Sequence, residues 1–255
     1  MNYKVEANKA RKKILAMVHS AGTSHIASNF SVIDIATVLY AKLKEGDEVV
    51  WSAGWKAASI YYFLAKQGKI PEADLDRFAK EENGKIEYLG LAETNVPGVF
   101  VNGGAVGHGL PIAVGMAHEK KQRGEKGTIH CIVSDGEFDE GSFWEAVISA
   151  NRLKLDNLVV WEDKNGWQAM GRTKDVNNIK EVRVCKGFGW DAYKIDGHNY
   201  QALEIAHFIE RKKPTIFVCK TVKGKGVKRF ENHLLYHYKH VDKNEFNEAM
   251  GELNA

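Results

Sequence analysis

Residues 134–171 read SDGEFDEGSFWEAVISANRLKLDNLVVWEDKNGWQAMG, and they follow the apolar run TIHCIVS (128–134). That run has the length and composition of a buried strand. DEGSFWEAVISANRLK (139–154) carries apolar residues at helical spacing, and NLVVWED (157–163) is a second apolar run of strand length. Strand, helix and strand in this order make a βαβ unit with parallel strands. If those strands are neighbours, their carboxyl ends lie side by side, and the two polar turns that follow them, SDGE and DKNG, converge. Asp135 and Asn165 are then spatial partners although thirty residues separate them.

The same alternation extends outward. EVVWSAG (48–54), DAYKID (191–196) and PTIFVCKTV (214–222) read as further strands. Helical patterns cover about 5–20, SVIDIATVLYAKLK (31–44), KAASIYYFLAKQGKI (56–70) and YQALEIAHFIERK (200–212). VNGGAVGHGLPIAVGMAHEKKQRG (101–124) is a glycine-rich turn feeding a helix, KEVRVCKGFGW closes in a Gly/aromatic turn, and 72–100 is irregular. The expected fold is α/β: a doubly wound, mostly parallel sheet with helices on both faces, as one domain over 1–255. No repeat, low-complexity segment or linker interrupts it.

Composition narrows the function. The balance of 36 basic and 33 acidic residues leaves a formal charge of +3. That is too even to announce nucleic acid or an anionic membrane as partner, so any bound anion must be held locally. No apolar run approaches the length of a spanning helix and there is no secretory h-region, which points to a cytoplasmic protein. Cys131, Cys185 and Cys219 lack metal-type spacing and read as reduced core residues.

In open parallel sheets, ligands bind at the carboxyl ends of strands. One carboxylate with neutral oxygens suits Mg²⁺, a hard ion that completes its shell with water and phosphate oxygens. Gly136 leaves room for a close approach of backbone to a diphosphate. Ordinary turn chemistry would also place Asp and Asn here. GGAVGHG is not a proper GxGxxG, so a nicotinamide dinucleotide is a weak alternative.

The stretch resembles the thiamin diphosphate motif, and its interior is similar to transketolase. AGTSH, VPGVFVNGGAVGHGLPIAVGMA, FGWDAYKIDGH, KPTIFVCKTVKGKG and ENHLLYHY continue that resemblance in order over roughly residues 5–240. It covers only the N-terminal, diphosphate-binding (PP) domain of full-length transketolases. The resemblance implies that Asp135, Asn165 and the carbonyl of Trp167 bind Mg²⁺ (or Ca²⁺ or Mn²⁺) and that Gly136 and Glu137 lie at the diphosphate. It places Gly104, Val106 and Gly107 in a loop lining the cofactor, with Asn165 and Trp55 also beside it. His25, His237, His108 and Glu140 become the catalytic candidates. For His108 and Glu140, a polar residue at a helix start and a first-turn glutamate favoured by the helix dipole are plainer readings.

The family's activating glutamate belongs to a pyrimidine-binding domain absent from these motifs. The expectation is therefore the N-terminal subunit of a split enzyme, active only with a C-terminal, pyrimidine-domain subunit, in an α₂β₂ assembly acting on sugars. The resemblance implies transfer of a two-carbon ketol unit from a ketose phosphate to an aldehyde or ketone acceptor. Two positions depart from it: Trp55 in SAGWKAAS and Leu91 in YLGLAETNVPGV stand where the family has histidines. Leucine offers no hydrogen bond to a donor hydroxyl. That keeps open a decarboxylating synthase using a 2-keto acid such as pyruvate, and a non-catalytic homologue. Ser134 replaces a glycine and should be tolerated. His25, His237, Lys220, Lys223 and Lys225 are candidate counter-charges for the diphosphate, with a solvated loop the plainer reading for each lysine. His233 and His237 have a zinc-like i, i+4 spacing but no third ligand signal.

Overall fold

The computed structural model describes all residues 1–255. In chain order it forms α1 (Tyr3–Ala21), α2 (Ile26–Lys42), β1 (Glu48–Trp51), α3 (Ala57–Lys66), α4 (Gly109–Gln122), β2 (Ile129–Ser134), α5 (Gly141–Arg152) and β3 (Leu158–Lys164). There follow a small antiparallel hairpin, β4 (Trp167–Gln168) with β5 (Gly171–Arg172), and then α6 (Thr173–Val176), α7 (Glu181–Gly187), β6 (Asp191–Asp196), α8 (Tyr200–Phe208), β7 (Thr215–Lys220) and α9 (Lys243–Asn254).

The main sheet has the order β1-β2-β3-β7-β6, and every neighbouring pair is parallel. Successive strands step outward from β1 to β3; the chain then crosses to the far edge at β6 and returns to place β7 against β3. Strand side chains alternate between faces. Val49, Trp51, Val159, Trp161, Phe217 and Cys219 enter one layer with α1, α2, α3, α8 and α9. Val50, Leu158, Val160, Ile216 and Val218 enter the other with α4, α5 and α7. Both faces are thus covered by helices, which is why the strands read as continuous apolar runs rather than alternating ones. Trp161 and Phe217 lie at the centre with ring centroids 4.8 Å apart, and truncating either to alanine should cost roughly 3–5 kcal/mol.

Local chemistry shifts several expected boundaries. The helix anticipated from 139 begins with a 3₁₀ turn, Asp135–Asp139, and α5 proper starts at Gly141. The cause is a capping box in which Glu137 folds back onto the Ser134 N–H. Helix α8 stops at Phe208, short of residue 212. KEVRVCKGFGW holds a two-turn helix, α7, before its glycine turn. In α9, Phe246, Ala249, Met250 and Leu253 recur at helical spacing and pack it into the first layer. No helix is long and apolar enough to cross a membrane.

Candidate cofactor site

The register of β2 on β3 sets Ser134 beside Asp163, so the two following turns meet. Asp135 is buried, and its carboxylate accepts from the Asn165 N–H at 2.9 Å, the Gly166 N–H at 3.1 Å and Thr173 Oγ1 at 3.3 Å. Burial first of all pushes this carboxyl up to about 6; Lys164 pulls it back and Asp163 adds to the rise. The Asn165 amide oxygen accepts from the Trp167 N–H at 3.1 Å, which fixes the turn into β4. Ser134 has φ −128° and ψ 170°, ordinary extended backbone that a serine adopts without strain, and this is the physical reason a glycine is not required there.

A cavity of about 370 Å³ opens beside these turns. Of the residues singled out in the sequence, His25, Trp55, Leu91, Gly104, Val106, Ser134, Gly136, Glu140, Asn165, Trp167 and His237 line it. Asp135 lies just behind the wall, holding Asn165. Three further candidates do not reach the cavity. Glu137 is fully buried with its carboxylate turned to Ser134 and Ser52, so it clamps the β2 turn to the segment after β1. His108 is exposed at the start of α4. Gly107 supports the wall from behind: its φ is +80°, and a Cβ there would meet Glu140 Cβ at 2.7 Å.

Gly136 differs from Gly107. Its φ is not in the left-handed region, and an added Cβ would meet only Gln168 Cβ, at 3.6 Å, an ordinary contact. Nothing in the fold itself demands glycine at a position that faces the cavity. Gln168 also lines it, and its buried amide oxygen has no hydrogen-bond partner.

The electrostatics correct two expectations. His25 and His237 face each other with ring centroids 4.8 Å apart. Burial, then the positive charge of Lys223, lowers His25 to about 4 and His237 to about 3. Both are neutral near pH 7, so they offer hydrogen bonds and not counter-charge. Lys223, in contrast, is no solvated loop residue: it is 1% exposed, lines the cavity, and sits 3.1 Å from Ser28 Oγ and 3.2 Å from His237 Nδ1. Lys220 is exposed, and Lys225 is part-exposed beside Glu231. His233 is exposed, and no group of three or more His, Cys, Asp or Glu side chains is arranged to hold a metal ion. The three cysteines are free and buried, and burial raises each thiol, Cys185 to about 12.

Sequence reasoning missed Lys56. It is fully buried, lines the cavity, and pairs with the equally buried Asp163 at 2.6 Å. The available signal was a charged residue inside the otherwise apolar run WKAASIYYFLA, where a lysine is buried only with a partner.

Comparison with known proteins places this architecture. The family described as "Transketolase, thiamine diphosphate binding domain" matches residues 3–253. One of the subunits of the apulose-4-phosphate transketolase of Actinobacillus succinogenes is 32% identical over 97% of this chain and 94% of its own length. The 6-deoxy-6-sulfo-D-fructose transketolase subunit SqwG of Clostridium sp. is 30% identical over 97% of this chain and 94% of its own length. The crystal structure of transketolase from Campylobacter jejuni superposes with a TM-score of 0.92 at 26% identity, covering all of this chain and 43% of that one. The chain therefore spans less than half the length of the solved transketolase. By sequence and by fold, the protein belongs to the transketolase thiamine diphosphate-binding family.

Proposed function

We propose that this chain is the N-terminal subunit of a split transketolase. With thiamin diphosphate, Mg²⁺ and a separate pyrimidine-domain subunit in an α₂β₂ assembly, it transfers a two-carbon ketol unit from a ketose phosphate donor to an aldehyde or ketone sugar acceptor. The observation that carries this reading is the meeting of Asp135 with the Asn165–Gly166 turn at the wall of a cavity that also holds two buried lysines.

The residues fit the group. Asp135, the Asn165 amide and the Trp167 carbonyl are hard oxygen donors of the kind Mg²⁺ takes. The glycine at 136, which the fold does not need, leaves cavity space where a diphosphate can approach the backbone. Gly104 and Val106 form the opposite loop. When bound, thiamin diphosphate supplies the nucleophilic carbon that carries the transferred fragment. The neutral His25 and His237 then donate or accept hydrogen bonds to the donor's carbonyl and hydroxyl groups and can hold a proton there. Glu140 on the wall faces the side from which a partner completes the site. Met170 and Tyr238 leave large apolar side chains exposed at the rim, with Tyr238 Oη donating to the Ala169 carbonyl at 2.7 Å, and a covering subunit would bury them. Relatives named as individual transketolase subunits, matched over nearly their whole length, support a partner of this kind.

The test is reconstitution. Ketol transfer should need this chain, a pyrimidine-domain subunit, thiamin diphosphate and a divalent ion together; full activity of the isolated chain would overturn the split reading. One observation favours a second donor class. Leu91, which cannot hydrogen-bond, lines the cavity. Pyruvate turnover by the reconstituted pair in preference to ketose phosphates would establish a decarboxylating synthase. Absence of thiamin diphosphate and Mg²⁺ binding in calorimetry would leave a non-catalytic homologue.

A further inference from the structure

A second cavity, of about 330 Å³, opens beside the β4–β5 hairpin and shares no wall residue with the first. Five of its eleven wall residues are cations, Lys164, Arg172, Lys174, Lys180 and Lys194, against one acid, Glu181. They come from segments well separated in sequence: the end of β3, the hairpin and α6, the loop into α7, and β6. Ile179 is the only apolar side chain among them, so the cavity offers no face for a large apolar ligand.

The neighbouring acids are engaged elsewhere. Glu181 and the fully buried Glu162 both face Lys164, Glu162 at 3.5 Å, so that lysine is compensated twice. Asp135 lies behind the wall, taken by the Asn165 and Gly166 N–H groups and Thr173. Asp196, two residues along β6 from Lys194, accepts from the His198 N–H at 2.9 Å, and Asp175 is exposed outside the cavity. The other four cations, Arg172, Lys174, Lys180 and Lys194, form no ion pair, and all four are exposed, so a ligand can reach them. Two of them are placed by neutral groups. The Arg172 guanidinium lies 4.6 Å from the Trp167 ring centroid, and Lys180 donates to Asn178 Oδ1 at 2.8 Å, which leaves the Asn178 NH₂ free to donate. In a chain of formal charge +3, four unpaired cations around one concavity are a local field that draws in an anion.

We propose that this second cavity binds a small phosphate monoester, at a site separate from the cofactor cavity and independent of what fills that cavity. A phosphate monoester carries about two negative charges at pH 7. The Arg172 fork matches two of its oxygens, and the lysines act as point charges on the remainder. The amides of Asn177 and Asn178 are left to meet hydroxyl groups of the organic part. A volume of about 330 Å³ stands at the small end of ligand clefts, which suits a polyol or sugar phosphate better than a nucleotide. The two cavities meet at one turn. Gly166 and Thr173 line the second and hold Asp135, while Arg172 of the second stacks on Trp167 of the first.

The experiment is calorimetric titration of glycerol 3-phosphate and glucose 6-phosphate, with glycerol, glucose and citrate for comparison, into the free chain and into the chain saturated with Mg²⁺ and thiamin diphosphate. Each ester should bind once per chain in both conditions, citrate more weakly, and glycerol and glucose not at all. Lys174→Gln/Lys194→Gln removes two exposed side chains that make no hydrogen bond, and should lower ester affinity at least about tenfold. Lys80→Gln/Lys85→Gln, an equal charge change on exposed residues elsewhere, should leave that affinity unchanged, and circular dichroism should not distinguish either variant from wild type. Absence of ester binding, equal losses in the two double variants, displacement of the esters by thiamin diphosphate, or citrate binding tighter than either ester would overturn the proposal. So would loss of ester binding on adding a pyrimidine-domain subunit whose association the Lys174/Lys194 variant weakens, because these cations would then serve a protein partner. Failure of thiamin diphosphate to bind would count against the cofactor cavity alone, since titration of the free chain reads the second cavity by itself.

Discussion

The Asn165 N–H donates to Asp135 Oδ2 at 2.9 Å, and the next N–H, Gly166, donates to Oδ1 at 3.1 Å. One carboxylate at the end of β2 therefore ties down the turn at the end of β3. Asp135→Ala leaves two backbone donors and the Thr173 hydroxyl without this acceptor. Each buried orphan costs about 1–3 kcal/mol, so the expected result is a loss of several kcal/mol in urea denaturation. Asp135→Asn, which keeps an acceptor oxygen, should lose less stability but all Mg²⁺-dependent cofactor binding in calorimetry.

Two glycines, one at the wall and one behind it, separate folding from binding. Gly136→Ala adds a Cβ in ordinary contact with Gln168 and should leave the apo melting temperature unchanged while weakening thiamin diphosphate by about tenfold or more. Gly107→Ala meets Glu140 Cβ at 2.7 Å on a backbone with φ +80° and should destabilise the apo protein by about 1–3 kcal/mol. Equal melting shifts in both variants would contradict this division.

Cofactor affinity should fade with rising pH. The free Lys223 amine lies at about 8, below its ordinary 10.5. A bound diphosphate favours the charged form, so binding takes up a proton where the free amine has lost it, and affinity falls as pH rises above about 8. The sign for apo stability is the reverse: folding opposes the charged amine, a penalty present in full below about pH 8 and gone above 10.5. Dissociation constants from pH 7 to 9.5, with Lys223→Met as the control whose slope disappears, check the first statement. Denaturation midpoints over the same range and up to pH 10.5 check the second.

Away from the cavity, Asp34 is buried and accepts from Arg11 at 2.8 Å, His198 at 2.7 Å and Tyr200 at 2.8 Å, joining α1, α2 and the start of α8. Burial alone would raise this carboxyl, but hydrogen bonding from His198 and the charge of Arg11 outweigh it and hold it at about 2, against 3.8 ordinarily. The resulting stabilisation, roughly 2 kcal/mol, is present above about pH 4 and is lost as pH falls toward 2. Asp34→Asn should remove that portion of the acid-side slope in denaturation midpoints measured from pH 5 to 2.5.

Leu91 is 43% exposed and lines the cavity, so Leu91→His should change stability by less than about 0.5 kcal/mol. In the reconstituted pair, the imidazole should raise turnover of hydroxylated ketose donors relative to pyruvate. An unchanged donor ratio would remove Leu91 from the account of specificity.

Much of this fold was legible because it depends on period and spacing. The apolar runs at 128–134, 157–163 and 214–222 are strands, and the two turns that the βαβ unit was expected to bring together do meet. The family resemblance followed from the same local strings. Glu137 was harder to place: two residues after Asp135 in the motif, it reads as lying at the diphosphate, yet its side chain completes a capping box with Ser134 and turns toward Ser52.

Sequence by itself determined which residues stand at the strand ends, since backbone periodicity is a local property of the chain. Only the tertiary structure decided how they are charged. The neutrality of His25 and His237, the burial of Lys223, and the pairing of Lys56 with Asp163 all depend on desolvation and on charges brought from distant segments. Those are sums over the whole packed molecule: a lysine within an apolar run signals that Lys56 is buried with a partner, but the order of the residues around it does not say which partner.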